Sequence, residues 1–191
     1  MAAPTHAHVS HDTHSTTSGG AWSTRRIATT ALLCALAFVL TFVEIPIFPP
    51  APWLMYDPSG IVCLIAGFAY GPAAAAIVSV LGFVPHVFMD PWGTLMAVLV
   101  ALSLSVPAAL IYRHVHTRKG AVIGLVVGAL LALVAAIAGN LVITPIYTGW
   151  PVSEVAAIIV PALLPFNLIK FVIHGVVTFL VYKPISNLLN R

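Results

Sequence analysis

Charge is scarce in this sequence. Eight Lys/Arg and five Asp/Glu make up 7% of 191 residues, while 60% are hydrophobic; an ordinary soluble domain is about 25% charged. So few charges cannot cover a water-facing surface of this size. With a mean hydropathy of +1.05, the composition excludes a soluble globular enzyme and a disordered chain alike. The solvent that fits is a lipid bilayer, and at roughly 20 residues per span the apolar part supplies about six crossings. Cysteine is nearly missing as well. Cys34 and Cys63 sit in apolar runs without CxxC spacing or a neighbouring His, and read as small packing residues. Also absent are a GxxxxGK[ST] phosphate loop, an HExxH pair, a Ser-His-Asp pattern and a pair of carboxylates within the apolar segments. Any ATP dependence therefore has to come from another chain, and no enzyme, metal site or bound cofactor is indicated. The pI of 9.1 does not point to nucleic acid, because the bases are few and scattered between apolar segments, as topology markers are.

What is present divides into two parts. Residues 1–24 form a Thr/Ser/Ala/Gly-rich stretch carrying His6, His8, His11 and His14. It has no apolar run and reads as a disordered, solvated tail on the cytoplasmic side, although imidazoles at that spacing can chelate Zn, Ni or Cu. Residues 25–191 form the membrane domain, expected to be all-α with six transmembrane helices and both termini cytoplasmic. The expected spans are Ile27–Ile45, a short Ile61–Tyr70, Ala73–Met89, Thr94–Tyr112, Ala121–Ile143 and Phe166–Tyr182, with Ser153–Leu163 as an interfacial helix. Pro46, Pro49, Pro50 and Pro52 forbid a helix between the first two, leaving a Pro/aromatic loop from Glu44 to Asp57. Arg25, Arg26, Arg113, Arg118, Lys119, Lys183 and Arg191 then fall on one side, and Glu44, Asp57, Asp90 and Glu154 on the other. The positive-inside bias makes the first side cytoplasmic.

One base breaks this pattern. Lys170 lies inside the last apolar segment, and an ionisable group there costs about 2.5–3.5 kcal/mol on insertion scales, which makes it a functional candidate. Asn167 is three residues earlier and hence on the same helix face. Asn140 adds a second amide at similar depth. Two amides and one ammonium offer donors and acceptors to a neutral or mildly acidic polar organic molecule and suit a metal ion badly. Trp53, Tyr56, Tyr147 and Phe166 are aromatics near the same end that could stack on a flat ligand or anchor the interface. Asp57 reads as facing outer water unless the loop folds over a pocket. His86 and His174 are lone imidazoles that read first as packing residues. Ala31 and Ala35, four apart on the first span, form a small-residue face that lets another helix approach closely.

At these residues the sequence resembles a known family, the substrate-binding S components of energy-coupling factor vitamin transporters, and within it the riboflavin-specific group. The resemblance runs from about Arg25 to Leu188. It is most specific in Leu164-Pro165-Phe166-Asn167-Leu168-Ile169-Lys170 and in Asn140 with Thr144-Pro145-Ile146-Tyr147. Ala66-Gly67-Phe68 through Gly71-Pro72, and Arg118-Lys119-Gly120, are supporting matches. The resemblance implies a non-enzymatic, multi-pass subunit of the bacterial plasma membrane that captures riboflavin, with FMN as a further candidate. It also implies docking on a transmembrane T component that carries two ATPases. Asn140, Asn167 and Lys170 would hold the vitamin, with Trp53, Tyr56, Asp57, His86, Tyr147 and Phe166 around it, and Ala31 and Ala35 match the family's AxxxA docking motif. Two departures stand out. A second acid expected near Asp57-Pro58-Ser59-Gly60 is absent, and a Lys-Asn pair expected before His86 is replaced by Gly82-Phe83. The competing readings are an S component for another vitamin such as pantothenate, and a self-sufficient ion-coupled carrier.

Overall fold

A computed structural model describes residues 22–189, with side chains through Ile185. The expectation about the His-bearing tail lies almost wholly outside these residues. The chain is helical, with α1 Thr24–Thr41, α2 Ser59–Tyr70, α3 Pro72–Leu81, α4 Pro91–His114, α5 Arg118–Thr148, α6 Val152–Ile158 and α7 Leu164–Leu189. A 3-10 turn, Val84–Phe88, follows α3, and a π turn, Ile159–Leu163, joins α6 to α7. The starts of α1, α4 and α5 are set by polar caps. Ser23 accepts from the Arg26 N–H at 3.3 Å, Asp90 from Gly93 at 2.9 Å and Thr117 from Gly120 at 3.1 Å. Gly149, at φ 72°, closes α5 in the left-handed conformation.

The expectation of six transmembrane helices is corrected. Among the described residues four helical stretches are long and apolar enough to cross a membrane: Thr24–Thr41, Pro91–His114, Arg118–Thr148 and Val152–Ile185. The second expected span is as short as its sequence suggested, and the third, Ala73–Met89, is cut short by its own backbone. Gly71 at φ 90° ends α2, and α3 stops before Gly82. Helices of 12 and 10 residues reach only about 18 and 15 Å at 1.5 Å per residue, against ~30 Å of hydrocarbon. They are packed in protein instead, with nine of the twelve α2 residues buried. The last expected span is longer than predicted. The interfacial helix expected at Ser153–Leu163 is not separate from it, because the π turn Ile159–Leu163 carries the helix past Pro161 without ending it.

Small residues draw the elements together. An added Cβ at Gly124 or Gly128 would stand 2.7 or 2.3 Å from the backbone oxygens of Ala108 and Leu104. The α4 and α5 backbones are therefore in direct contact, as close-packed membrane helices require. Ser79 and Ser105 hydroxyls, both buried, bond at 2.9 Å between α3 and α4. This scaffold brings one end each of α2, α4, α5 and α7 around a shared cavity.

Candidate functional site

The cavity holds about 500 Å³. Helix α5 brings Asn140 and Tyr147, α7 brings Phe166, Asn167, Lys170 and His174, and the proline loop brings Trp53 and Asp57, while His86 comes from the 3-10 turn. Eight of the nine ligand residues expected from the sequence thus line one space. Tyr56 does not. It is 5% exposed and packs behind the wall, its ring 5.3 Å from that of His174. Trp53 and Tyr147 are wall residues with open faces, 62% and 53% exposed, whereas Phe166 is buried.

The two amides are oriented by their own helices. Asn140 Nδ2 donates to Ala136 O at 2.8 Å while its Oδ1 accepts from Thr144 Oγ1 at 3.0 Å. Asn167 Nδ2 donates to Leu163 O at 2.8 Å. A primary amide has two N–H groups and two acceptor lone pairs, so each keeps hydrogen-bonding capacity after this tethering. The carbonyl that holds Asn167 belongs to the π turn. The wide turn past Pro161 therefore helps to place the amide.

Lys170 is not a bare cation. Its Nζ donates to Asp57 Oδ2 at 2.8 Å, with the two side chains 17% and 19% exposed. Asp57 was expected to face outer water unless its loop folded over a pocket, and the loop does bring it to the cavity; the pairing itself, across 113 residues, left no local signal. The other carboxylate oxygen accepts from the Ser59 hydroxyl and, at 3.2 Å, from the Ser59 N–H. Burial alone would raise the Asp57 carboxyl; the Lys170 charge and the bonds from Lys170 and Ser59 outweigh it and hold the group below the usual carboxylate range. Burial and the nearby Asp57 charge push Tyr56 up to about 12, so its hydroxyl stays neutral.

His174 is the residue that sequence reasoning undervalued. It is 1% exposed, and its Nε2 donates to the Asp57 carbonyl at 3.0 Å, so α7 grips Asp57 twice. Nδ1 is buried without a partner among the described residues. The signal was present in the spacing, since positions 167, 170 and 174 share one helix face. Gly60 makes the grip possible, because a Cβ there would stand 2.5 Å from His174 Cε1. Gly60→Ala is expected to displace the imidazole and lower stability by about 1–3 kcal/mol. Gly175→Ala, where nothing lies within 4 Å, should be neutral or slightly stabilising. Thermal unfolding of the two variants checks this; equal melting temperatures would show that the contact is soft.

The loop over the cavity is held by these bonds and by one antiparallel bridge, in which Ile45 and Tyr56 exchange N–H···O bonds of 2.9 and 2.8 Å. Because the folded Asp57 pKa is lowered, its contribution is full above the unfolded value of ~3.9 and lost as pH falls through the folded value. Amide exchange in residues 46–57, corrected for intrinsic rates, should be flat from about pH 8 to 5 and rise only below about pH 4. In Asp57→Asn it should be fast throughout. A rise between pH 7 and 5 in the native protein would instead implicate an imidazole.

Comparison with known proteins matches residues 25–182 to the family of ECF transporter substrate-specific components. The chain belongs to that family. The S component is 32% identical over 176 residues to the riboflavin transporter RibU of Staphylococcus aureus, covering 87% of this chain and 93% of the relative. It is 28% identical over 172 residues to the riboflavin transporter FmnP of Bacillus subtilis, covering 83% and 90%. A solved structure of the S component of a bacterial ECF transporter superposes with a TM-score of 0.74 at 30% identity, covering 87% of this chain and 98% of that one. The protein is thus a non-catalytic binding subunit and a multi-pass membrane protein of the bacterial plasma membrane. Among the described residues no three His, Cys, Asp or Glu side chains come together in a way that could hold a metal ion.

Proposed function

We propose that this S component binds riboflavin in the 500 Å³ cavity and hands it to a transmembrane T component energised by two ATPases. The supporting observation is the polar set at its wall: two tethered amides beside an Asp57–Lys170 pair whose charges cancel. The volume lies within the ~300–1,000 Å³ typical of small-molecule sites. Trp53, Trp92, Tyr147 and Phe166 supply flat apolar walls on which a ring system can stack.

Charge favours riboflavin over the alternatives. Among the described residues Glu44, Asp57 and Asp90 line the cavity, with Lys170 as its one Lys or Arg. A carboxylate such as pantothenate, or the phosphate of FMN, would meet a cation that is already paired and acids around it. An uncharged flavin meets neither difficulty. The relatives named as riboflavin transporters support the same choice. The absorption spectrum of protein purified without added ligand tests it, followed by fluorescence titration with riboflavin and competition by FMN and pantothenate. Flavin bands, with FMN weaker and pantothenate inert, are expected. A colourless protein that binds pantothenate would defeat the reading.

A further inference from the structure

A second cavity, of about 620 Å³, lies at the opposite end of the molecule. It is lined by Arg25 and Arg26 at the start of α1, by the α2–α3 turn from Gly67 to Ala73, and by Tyr112, Arg113 and His116 at the end of α4. Among the described residues no Asp or Glu lines it. Among the described residues none of these arginines has a carboxylate partner. Arg26 is immobilised rather than reaching for water. Its guanidinium carbon lies 4.1 Å from the Trp22 ring centroid and 5.8 Å from that of Tyr70, and Nη2 donates to the Tyr70 carbonyl. Its Nε is buried without an acceptor among the described residues.

The positive-inside bias accounts for bases at this end but not for their arrangement. Arg118 and Lys119, equally basic and also at this end, do not line the cavity. Among the described residues, three arginines and an imidazole line one space without an acid, and a buried Arg26 N–H has no acceptor. A forked donor set of this kind matches the tetrahedral oxygens of a phosphate, and basic pockets between membrane helices suit lipid head groups.

We propose that this cavity binds a phosphate ester, the head group of an anionic phospholipid or a soluble phosphate, and that Arg25, Arg26 and Arg113 hold it. The test uses the full chain, delipidated in detergent, with native mass spectrometry against phosphatidylglycerol and phosphatidylcholine. One phosphatidylglycerol should be retained in preference to phosphatidylcholine. Arg25→Gln/Arg113→Gln should weaken that retention about 30-fold, while Arg118→Gln/Lys119→Gln should change it less than about threefold. Both arginines of the first pair are exposed, so the fold should survive, and equal melting temperatures verify it. Arg113→Gln alone, losing about fivefold, carries the test if the double variant melts early.

A second arm titrates glycerol 3-phosphate and inorganic phosphate into lipid-free protein. Arginine-dependent binding there assigns a soluble phosphate, and its absence with phosphatidylglycerol retained assigns the lipid. Two outcomes overturn the proposal: equal loss in both double variants, which would mean diffuse surface charge, or no arginine-dependent binding of either phosphate source.

Discussion

Ala31→Trp is expected to reduce vitamin uptake by whole cells about tenfold or more, while ligand titration of the purified protein stays unchanged. The face on which Ala31 stands is open. Ala31 and Ala35 are exposed, together with Leu32, Leu36 and Val39, while α1 packs inward through Thr30, Leu33, Ala37 and Thr41. Only 22% of this span is buried, against 28–33% in the other three. Its outer face is therefore free for a partner, and two alanines a turn apart allow close backbone approach. A bulky ring wedged into such a contact costs about 1–3 kcal/mol, enough to uncouple docking from binding. Ala35→Trp should behave alike. Val134→Trp, at a position 65% exposed on α5, should import normally. Retained uptake and co-purification with the T component in both alanine variants would mean that the face meets only lipid.

Local chemistry made part of this molecule legible and hid the rest. The expected spans Thr94–Tyr112 and Ala121–Ile143 lie wholly inside α4 and α5, which the caps Asp90 and Thr117 start three residues earlier. The amide–lysine face of α7 follows from helical spacing alone. The break at Gly71-Pro72 was legible too, and α2 ends there; what counting apolar residues could not reveal is that α3 stops before Gly82, inside the apolar run Ala73–Met89. Nor does α2 look different from a span in hydropathy, although it is too short for one. The partner of Lys170 lies on a loop 113 residues away, and no local pattern connects them. Tyr56 sits next to Asp57, yet the loop turns it behind the wall. The side of the chain on which a residue falls is set by the bridge to Ile45, a tertiary contact.

The Asp57–Lys170 pair makes a single deletion misleading. Lys170→Met should weaken riboflavin binding by about 10–150-fold, the loss of a charged hydrogen bond worth ~1.5–3 kcal/mol. It should also destabilise the protein, because a carboxylate under a fifth exposed would lose its counter-ion, and breaking such a pair costs ~3–5 kcal/mol where burial is complete. Lowered affinity alone therefore would not separate ligand contact from damage. Asp57→Asn in the same chain removes the stranded charge and keeps an oxygen for Ser59. The double variant Asp57→Asn/Lys170→Met should recover most of the melting temperature, since replacing both members of a shielded pair is often close to neutral. Its affinity should remain low, because the ammonium that faces the cavity is still missing. Asn167→Ala should lower affinity without this loss of stability, having no charge to strand. Melting curves and flavin titrations on the four proteins decide the matter. If the double variant regains affinity along with stability, Lys170 acts only by holding the Asp57 loop closed, and the vitamin is read by the two amides.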